Sequence, residues 1–105
     1  MDAGDFAASG LKMAYAAWTK ISAALVLVAS GAAAELGVEQ ALTAEWARSQ
    51  PDLPGRYQAA LENAASKGWR WTDEMEQVSR TFVDAGQPGE FGTAAAKIFA
   101  RWSPP

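Results

Sequence analysis

From Leu11 to Leu36 the chain has no proline, only Gly31 as a breaker, and charges only at Lys12, Lys20 and Glu35. A stretch this long, rich in alanine and leucine, predicts one continuous helix. Asp5 or Ser9 is placed to cap its start. Trp18, Ile21, Leu25 and Val28 follow helical spacing and predict one buried stripe, which Leu11, Ala14 and Ala17 extend backwards. Val26 and Leu27 widen the stripe until the segment Ile21 to Ala34 is apolar almost all round, as in a helix enclosed by others. The helix is thus expected to be mostly buried, with the Lys12 ammonium near its start. Burying an ammonium is costly unless it is paired or used. The run Ala29-Ser30-Gly31-Ala32-Ala33-Ala34 carries only small side chains, so another helix can approach closely there.

The length of this helix has a consequence. About 30 helical residues span roughly 45 Å. A compact domain of 105 residues has a radius of gyration near 13 Å and a diameter of roughly 34 Å. The helix is expected to overhang its own domain, and the physical remedy is a second copy: a homodimer, interlocked along the long helix.

The rest of the chain reads as shorter helices separated by breakers. Glu35-Leu36-Gly37-Val38 is a helix end followed by a new start. A second helix is expected from about Glu39 to Ser49, with Leu42 and Trp46 inward, ended by Pro51 and Pro54. A third runs from about Gly55 to Ser66, with Tyr57 and Leu61 inward, and stops at Gly68. Trp69 and Trp71 fall on a turn before the fourth helix, which Thr72 is expected to cap. Asp73 and Glu74 suit the first turn of that helix, and Met75, Val78, Phe82 and Val83 form its apolar face. Gly86-Gln87-Pro88-Gly89 is a turn. A fifth helix covers Phe91 to Trp102, with Ala95, Ile98, Phe99 and Trp102 inward, and Ser103-Pro104-Pro105 is a tail. No segment alternates as a half-buried strand does. The expected fold is all-α: a single domain over residues 1–105, about five helices around one long N-terminal helix.

Composition removes several functions. Nine basic residues against twelve acidic ones leave a net charge of −3, and the basic residues are scattered. No basic patch exists for nucleic acid. The chain has neither cysteine nor histidine. Disulfides and thiolate chemistry are excluded, and the commonest general base and metal ligand are missing. No metal site is expected, and the cytoplasm is the expected location. Lys12 and Lys20 followed by an apolar run imitate a secretory signal. Asp2 and Asp5 offset the charge, however, and the run begins too late in the chain. The uncharged run Ile21 to Ala34 is too short to span a membrane.

Chemistry has few places to reside. Helical angles put Lys12, Ala16, Thr19 and Ala23 in a narrow arc, flanked by Tyr15 and by Lys20. In a functional role Lys12 donates a proton or anchors an anion; in a bland one it sits at a solvated helix end. Lys20 is expected to snorkel. Trp69-Arg70-Trp71 either walls a pocket or plugs a helix junction. Asp73, Glu74 and Glu76 either pair with Lys12 or Arg70 or form a solvated first turn. The glycines match neither the dinucleotide fingerprint nor the phosphate-binding loop.

The order of these motifs resembles a known family. Ala7-Ala8-Ser9-Gly10-Leu11-Lys12-Met13-Ala14-Tyr15-Ala16, then Ala34 to Val38, then Trp69-Arg70-Trp71 leading into Glu74-Met75-Glu76, then Gly86-Gln87-Pro88, is similar to the C-terminal helical domain of the β-hydroxyacid dehydrogenases. That superfamily includes the 3-hydroxyisobutyrate and 6-phosphogluconate dehydrogenases. The resemblance covers nearly the whole chain and implies a domain that provides the dimer interface and half of a substrate cleft. A Rossmann domain supplies NAD or NADP. Lys12 takes the place of the family's proton-transfer lysine, with Tyr15, Thr19, Trp71 and Glu74 as candidate pocket walls. Two departures stand out. Ala16 stands where the family has an asparagine, and Asp73-Glu74 stands where it has a lysine–aspartate pair, so a positive substrate contact is missing. The chain itself holds no cofactor-binding residues and is not expected to transfer hydride without a dinucleotide domain. The contrasting expectation is a non-catalytic helical dimer that serves as a small-molecule-binding module or an assembly scaffold.

Overall fold

The computed structural model describes residues 3–102, with side chains from residue 8 onward. The proposed cap Asp5, the charge of Asp2 and the tail Ser103–Pro105 lie outside the described side chains. Five α-helices and one 3-10 turn follow in order, and no strand occurs among the described residues. They are α1 (Ala3–Glu35), α2 (Glu39–Ser49), α3 (Leu53–Lys67), the 3-10 turn (Gly68–Trp71), α4 (Thr72–Asp84) and α5 (Glu90–Phe99). The all-α expectation and the long first helix hold.

Two glycines set helix ends by the same device. Gly37 has φ of +76° and Gly86 has φ of +80°, the left-handed region that costs glycine little. Behind Gly37, the Val38 amide donates to the Ala33 carbonyl at 2.8 Å and the Gly37 amide to Ala34 at 3.2 Å. Behind Gly86, Gln87 donates to Phe82 at 2.8 Å and Gly86 to Val83 at 3.0 Å. Both are Schellman caps, which satisfy carbonyls left open at a helix end. Pro54 lies in the first turn of α3, where its missing amide is harmless. Thr72 is not the cap expected for α4, because its hydroxyl donates back to the Trp69 carbonyl at 3.3 Å.

The core lies where α4 and α5 cross under the middle of α1. Phe99, Met75 and Val78 are its largest fully buried side chains, joined by Ala64, Ala95 and Met13. Trp71 meets Phe99 edge to face, with ring centroids 4.9 Å apart and planes at 81°. The α4–α5 contact is the closest. A Cβ on Gly92 would lie 2.6 Å from the Met75 carbonyl oxygen and 2.8 Å from the Ser79 amide nitrogen.

The long helix is two-faced. Met13, Ala17 and Ala24 are buried on one side, and towards the end of the helix the buried positions turn to Ser30 and Ala33. On the other, Trp18 is 69% and Leu25 65% exposed, and Leu11 is also open, so the expected buried stripe is wrong in these members. Ile21 and Val28 are half-buried at its border, and Ala14 is exposed. The small residues of α1 let α3, α4 and α5 approach closely, and its exposed residues concentrate up to Trp18 and after Ser30, with Leu25 between them. Val83 on α4 is likewise exposed rather than inward. The molecule measures 51 × 33 × 21 Å, with a radius of gyration of 15.4 Å. Its longest dimension matches the roughly 50 Å expected of a helix of 33 residues.

By length and composition, α1 over Ala8–Glu35 is long and apolar enough to cross a membrane. The expectation that this segment is too short rested on the uncharged run alone, and the helix extends past both lysines. Four helices pack against α1.

Candidate functional site

The five candidate residues separate into three places. Lys12 and Tyr15 stand on the first part of α1, both exposed. Among the described side chains there are two ion pairs, and neither includes Lys12. Lys12 is therefore not the buried ammonium its helix suggested.

Thr19 lies one helical face along from Lys12, seven residues later. Its hydroxyl is in reach of the Tyr15 and Ala16 carbonyls, both at 3.2 Å, a bond back to its own helix. It borders a furrow of about 170 Å³ between α1 and α3. Arg56 and Asn63 face Thr19 across this furrow. Sequence reasoning missed both. The available signal was their spacing: Arg56 and Asn63 are seven apart, as Lys12 and Thr19 are, so each pair returns to one helical face after two turns.

Trp71 and Glu74 come together elsewhere, around Lys20. The Lys20 ammonium forms an ion pair with the Glu74 carboxylate, with each side chain about one quarter exposed. The same ammonium lies 5.2 Å from the centroid of the Trp71 ring. A cation over an indole face is favourable, more so where water is partly excluded. Glu74 therefore pairs with Lys20, not with Lys12 or Arg70. Asp73 and Glu76 are exposed, as a solvated first turn requires. Arg70 lies over the Trp69 ring, 5.5 Å from its centroid. The Trp69 indole nitrogen is buried without a hydrogen-bond partner. Trp71 thus plugs the junction of the 3-10 turn with α4 and α5, edge to face with Phe99.

A second concavity, about 530 Å³, runs between α1 and α5. Ile21, Leu25 and Val28 form one wall and Phe91, Ala94 and Ile98 the other. It is almost wholly apolar and has no catalytic character. No cluster of three or more carboxylates suited to a metal ion occurs among the described residues.

A family model described as "Domain of unknown function (DUF1932)" matches residues 33–102. That is two thirds of the chain, and the chain belongs to this family. No curated protein and no solved structure matches.

Proposed function

We propose that this member of the DUF1932 family is the substrate-side helical domain of an NAD(P)-dependent oxidoreductase of the 3-hydroxyacid or 6-phosphogluconate type. The observation that carries this reading is the match over residues 33–102, for a domain found in the C-terminal helical region of 6-phosphogluconate-dehydrogenase-like proteins. The lysine-bearing motif Leu11-Lys12-Met13-Ala14-Tyr15 precedes the matched region and adds to it.

In this reading Lys12 transfers the proton at the substrate hydroxyl or carbonyl, and a separate dinucleotide-binding domain brings NAD or NADP to the same face. NAD or NADP held by that domain would supply hydride acceptance or donation at the substrate carbon. Lys12 suits the role because it is exposed and free of a carboxylate partner among the described side chains, so its proton is available to a docked substrate. Thr19 and Tyr15 border the approach. Arg56 answers the missing positive contact: it lines the furrow beside Thr19, where it suits a carboxylate or phosphate. Trp71 and Glu74 support the site through Lys20 rather than by touching substrate. The proposed compartment is the cytoplasm.

The test is hydride transfer by a protein that carries these residues behind a dinucleotide-binding domain. Lys12→Ala is expected to lower kcat by roughly a hundred-fold to ten-thousand-fold, the range for loss of a positioned acid or base. Unchanged turnover would overturn the reading. A second reading, a non-catalytic helical module, is favoured by one observation: among the described residues, the four concavities between and beside the helices are lined without Lys12.

A further inference from the structure

Two adjacent residues late in α1 sit there at a cost that packing within the chain does not repay. Gly31 lies inside a helix, where glycine is the poorest residue after proline. Close packing explains Gly92, whereas a Cβ on Gly31 would meet no atom within 4 Å. Its neighbour Ser30 is only 7% exposed. The hydroxyls of Thr19, Ser49, Thr81 and Thr93 donate back to a carbonyl three or four residues earlier. The Ser30 hydroxyl makes no such bond, nor any other to a described group. A buried hydroxyl without a partner is costly unless something supplies one.

Both residues line one concavity of about 260 Å³, bounded by α1, the start of α2, α3 and the segment after α5. Glu39, Tyr57, Arg101 and Trp102 supply its charged and aromatic groups. These walls are held in place. The Arg101 amide donates to the Ile98 carbonyl at 3.1 Å and the Trp102 amide to Phe99 at 3.2 Å, which folds the chain after α5 into a turn. The Trp102 ring is seated over Gly68, 3.9 Å from where a Cβ would lie. The Schellman cap at Gly37 turns the chain so that Glu39 returns beside α1.

The charges select the ligand. Neither Arg101 nor Glu39 belongs to an ion pair among the described side chains, so a guanidinium and a carboxylate line one concavity without neutralising each other. A phosphate would be repelled by Glu39, and a metal ion by Arg101. A ligand with one charge of each sign satisfies both. Its carboxylate accepts from the Arg101 guanidinium and the Ser30 hydroxyl, and its ammonium donates to Glu39. The rings of Tyr57 and Trp102 suit an aromatic or apolar side chain. The volume falls below the roughly 300–1,000 Å³ of pockets for drug-sized ligands, so it fits a single amino acid better than a peptide.

We propose that this concavity binds a free α-amino acid with an aromatic or large apolar side chain, held at its two charged groups by Arg101 and Glu39. The site is separate from that of the oxidoreductase reading. Ser30 lies roughly 27 Å beyond Lys12 along α1, and no residue given a role in that reading lines the concavity.

Calorimetric titration of the chain with L-phenylalanine tests the proposal. Binding is expected to saturate at one molecule per chain, with a dissociation constant in the micromolar-to-millimolar range that about a dozen non-hydrogen atoms supply. Phenylpropionate lacks the ammonium and phenethylamine lacks the carboxylate, and each is expected to bind at least about ten-fold more weakly. Glu39→Gln and Arg101→Gln change exposed side chains. Each is expected to weaken phenylalanine binding by a similar factor with the unfolding midpoint unmoved. Gly31→Leu is expected to abolish binding while helix content stays the same and stability stays the same or rises, because the new side chain fills the concavity and leucine favours helix. That combination separates occupation of the site from damage to the fold. No saturable heat up to about 10 mM phenylalanine would overturn the proposal. So would truncated ligands that bind as well as phenylalanine, or undiminished binding by Gly31→Leu.

Discussion

Gly92 and Gly89 show how much one missing carbon decides at the α4–α5 crossing. A Cβ on Gly92 would meet the backbone of Met75 and Ser79, which cannot rotate away. Gly92→Ala is expected to destabilise the domain by about 1–3 kcal/mol, as overpacking does, measured by denaturant unfolding. On Gly89 the Cβ would meet the Ser79 hydroxyl at 2.7 Å and a Val83 methyl at 2.8 Å, atoms at side-chain ends that can shift, and its nearest backbone atom, the Ser79 carbonyl oxygen, would be at 3.1 Å. Gly89→Ala should cost less. Phe99, fully buried against Trp71, sets the other extreme: Phe99→Ala is expected to cost about 3–5 kcal/mol. Glu45 on α2 marks the outer limit. Hydrogen bonds from Arg48, and then from Ser49, hold its carboxyl below the usual glutamate range. A depressed carboxyl stabilises the fold above its ordinary value, and that contribution fades as pH falls through the lowered one. The pair is fully exposed, so Glu45→Gln is expected to leave the unfolding midpoint at pH 7 almost unmoved.

At the level of elements, the joint between α1 and α4 depends on Lys20, Glu74 and Trp71. Helix α4 directs its first turn at α1, and Glu74 meets an ammonium that is mostly out of water. Removing one partner leaves the other partly buried and unpaired. Glu74→Ala is expected to destabilise by about 1–2 kcal/mol, less than a fully buried pair because a quarter of each side chain remains wet. Lys20→Met with Glu74→Gln together should recover most of that loss, since neither charge then remains. Comparing the single and double variants by thermal unfolding separates an ion pair from mere packing. Several helix boundaries were legible from particular residues, although α3 starts at Leu53 with Pro54 inside its first turn rather than near Gly55, and α5 ends at Phe99 rather than Trp102. Gly37 and Gly86 ended helices through the one backbone conformation that favours glycine, and Glu39–Ser49 was readable to the residue. Inward faces were less legible. In α2 and α3, Leu42, Trp46, Tyr57 and Leu61 are only half-buried, and the fully covered positions in α3 are Ala60 and Ala64. Large apolar residues mark the general direction of a core, whereas the closest contacts are made by small ones.

For the whole molecule, shape is the main consequence of α1. A domain whose longest helix equals its longest dimension cannot close around that helix, and the face with Leu11, Tyr15, Trp18 and Leu25 stays open. If a second copy covers it, unfolding becomes concentration-dependent. A ten-fold rise in protein concentration is expected to raise Tm measurably in the unmodified chain and not in Leu25→Glu, as read by scanning calorimetry.

The sequence by itself determined the helical class, the number and order of the helices, and the turns between them. Alanine-rich runs and glycine or proline breakers act locally, so they can be read along one dimension. It also determined that the long helix exceeds a compact domain, because length per residue is fixed. Which lysine meets a carboxylate was decided only by tertiary structure. Lys12 and Lys20 lie on neighbouring faces of one helix, and only the approach of α4 selects Lys20. The same holds for the stripe on α1. An apolar helix offers two candidate faces, and the path of the chain after Gly37 chose the side with Met13, Ala17 and Ala24. That choice left Trp18 and Leu25 facing water.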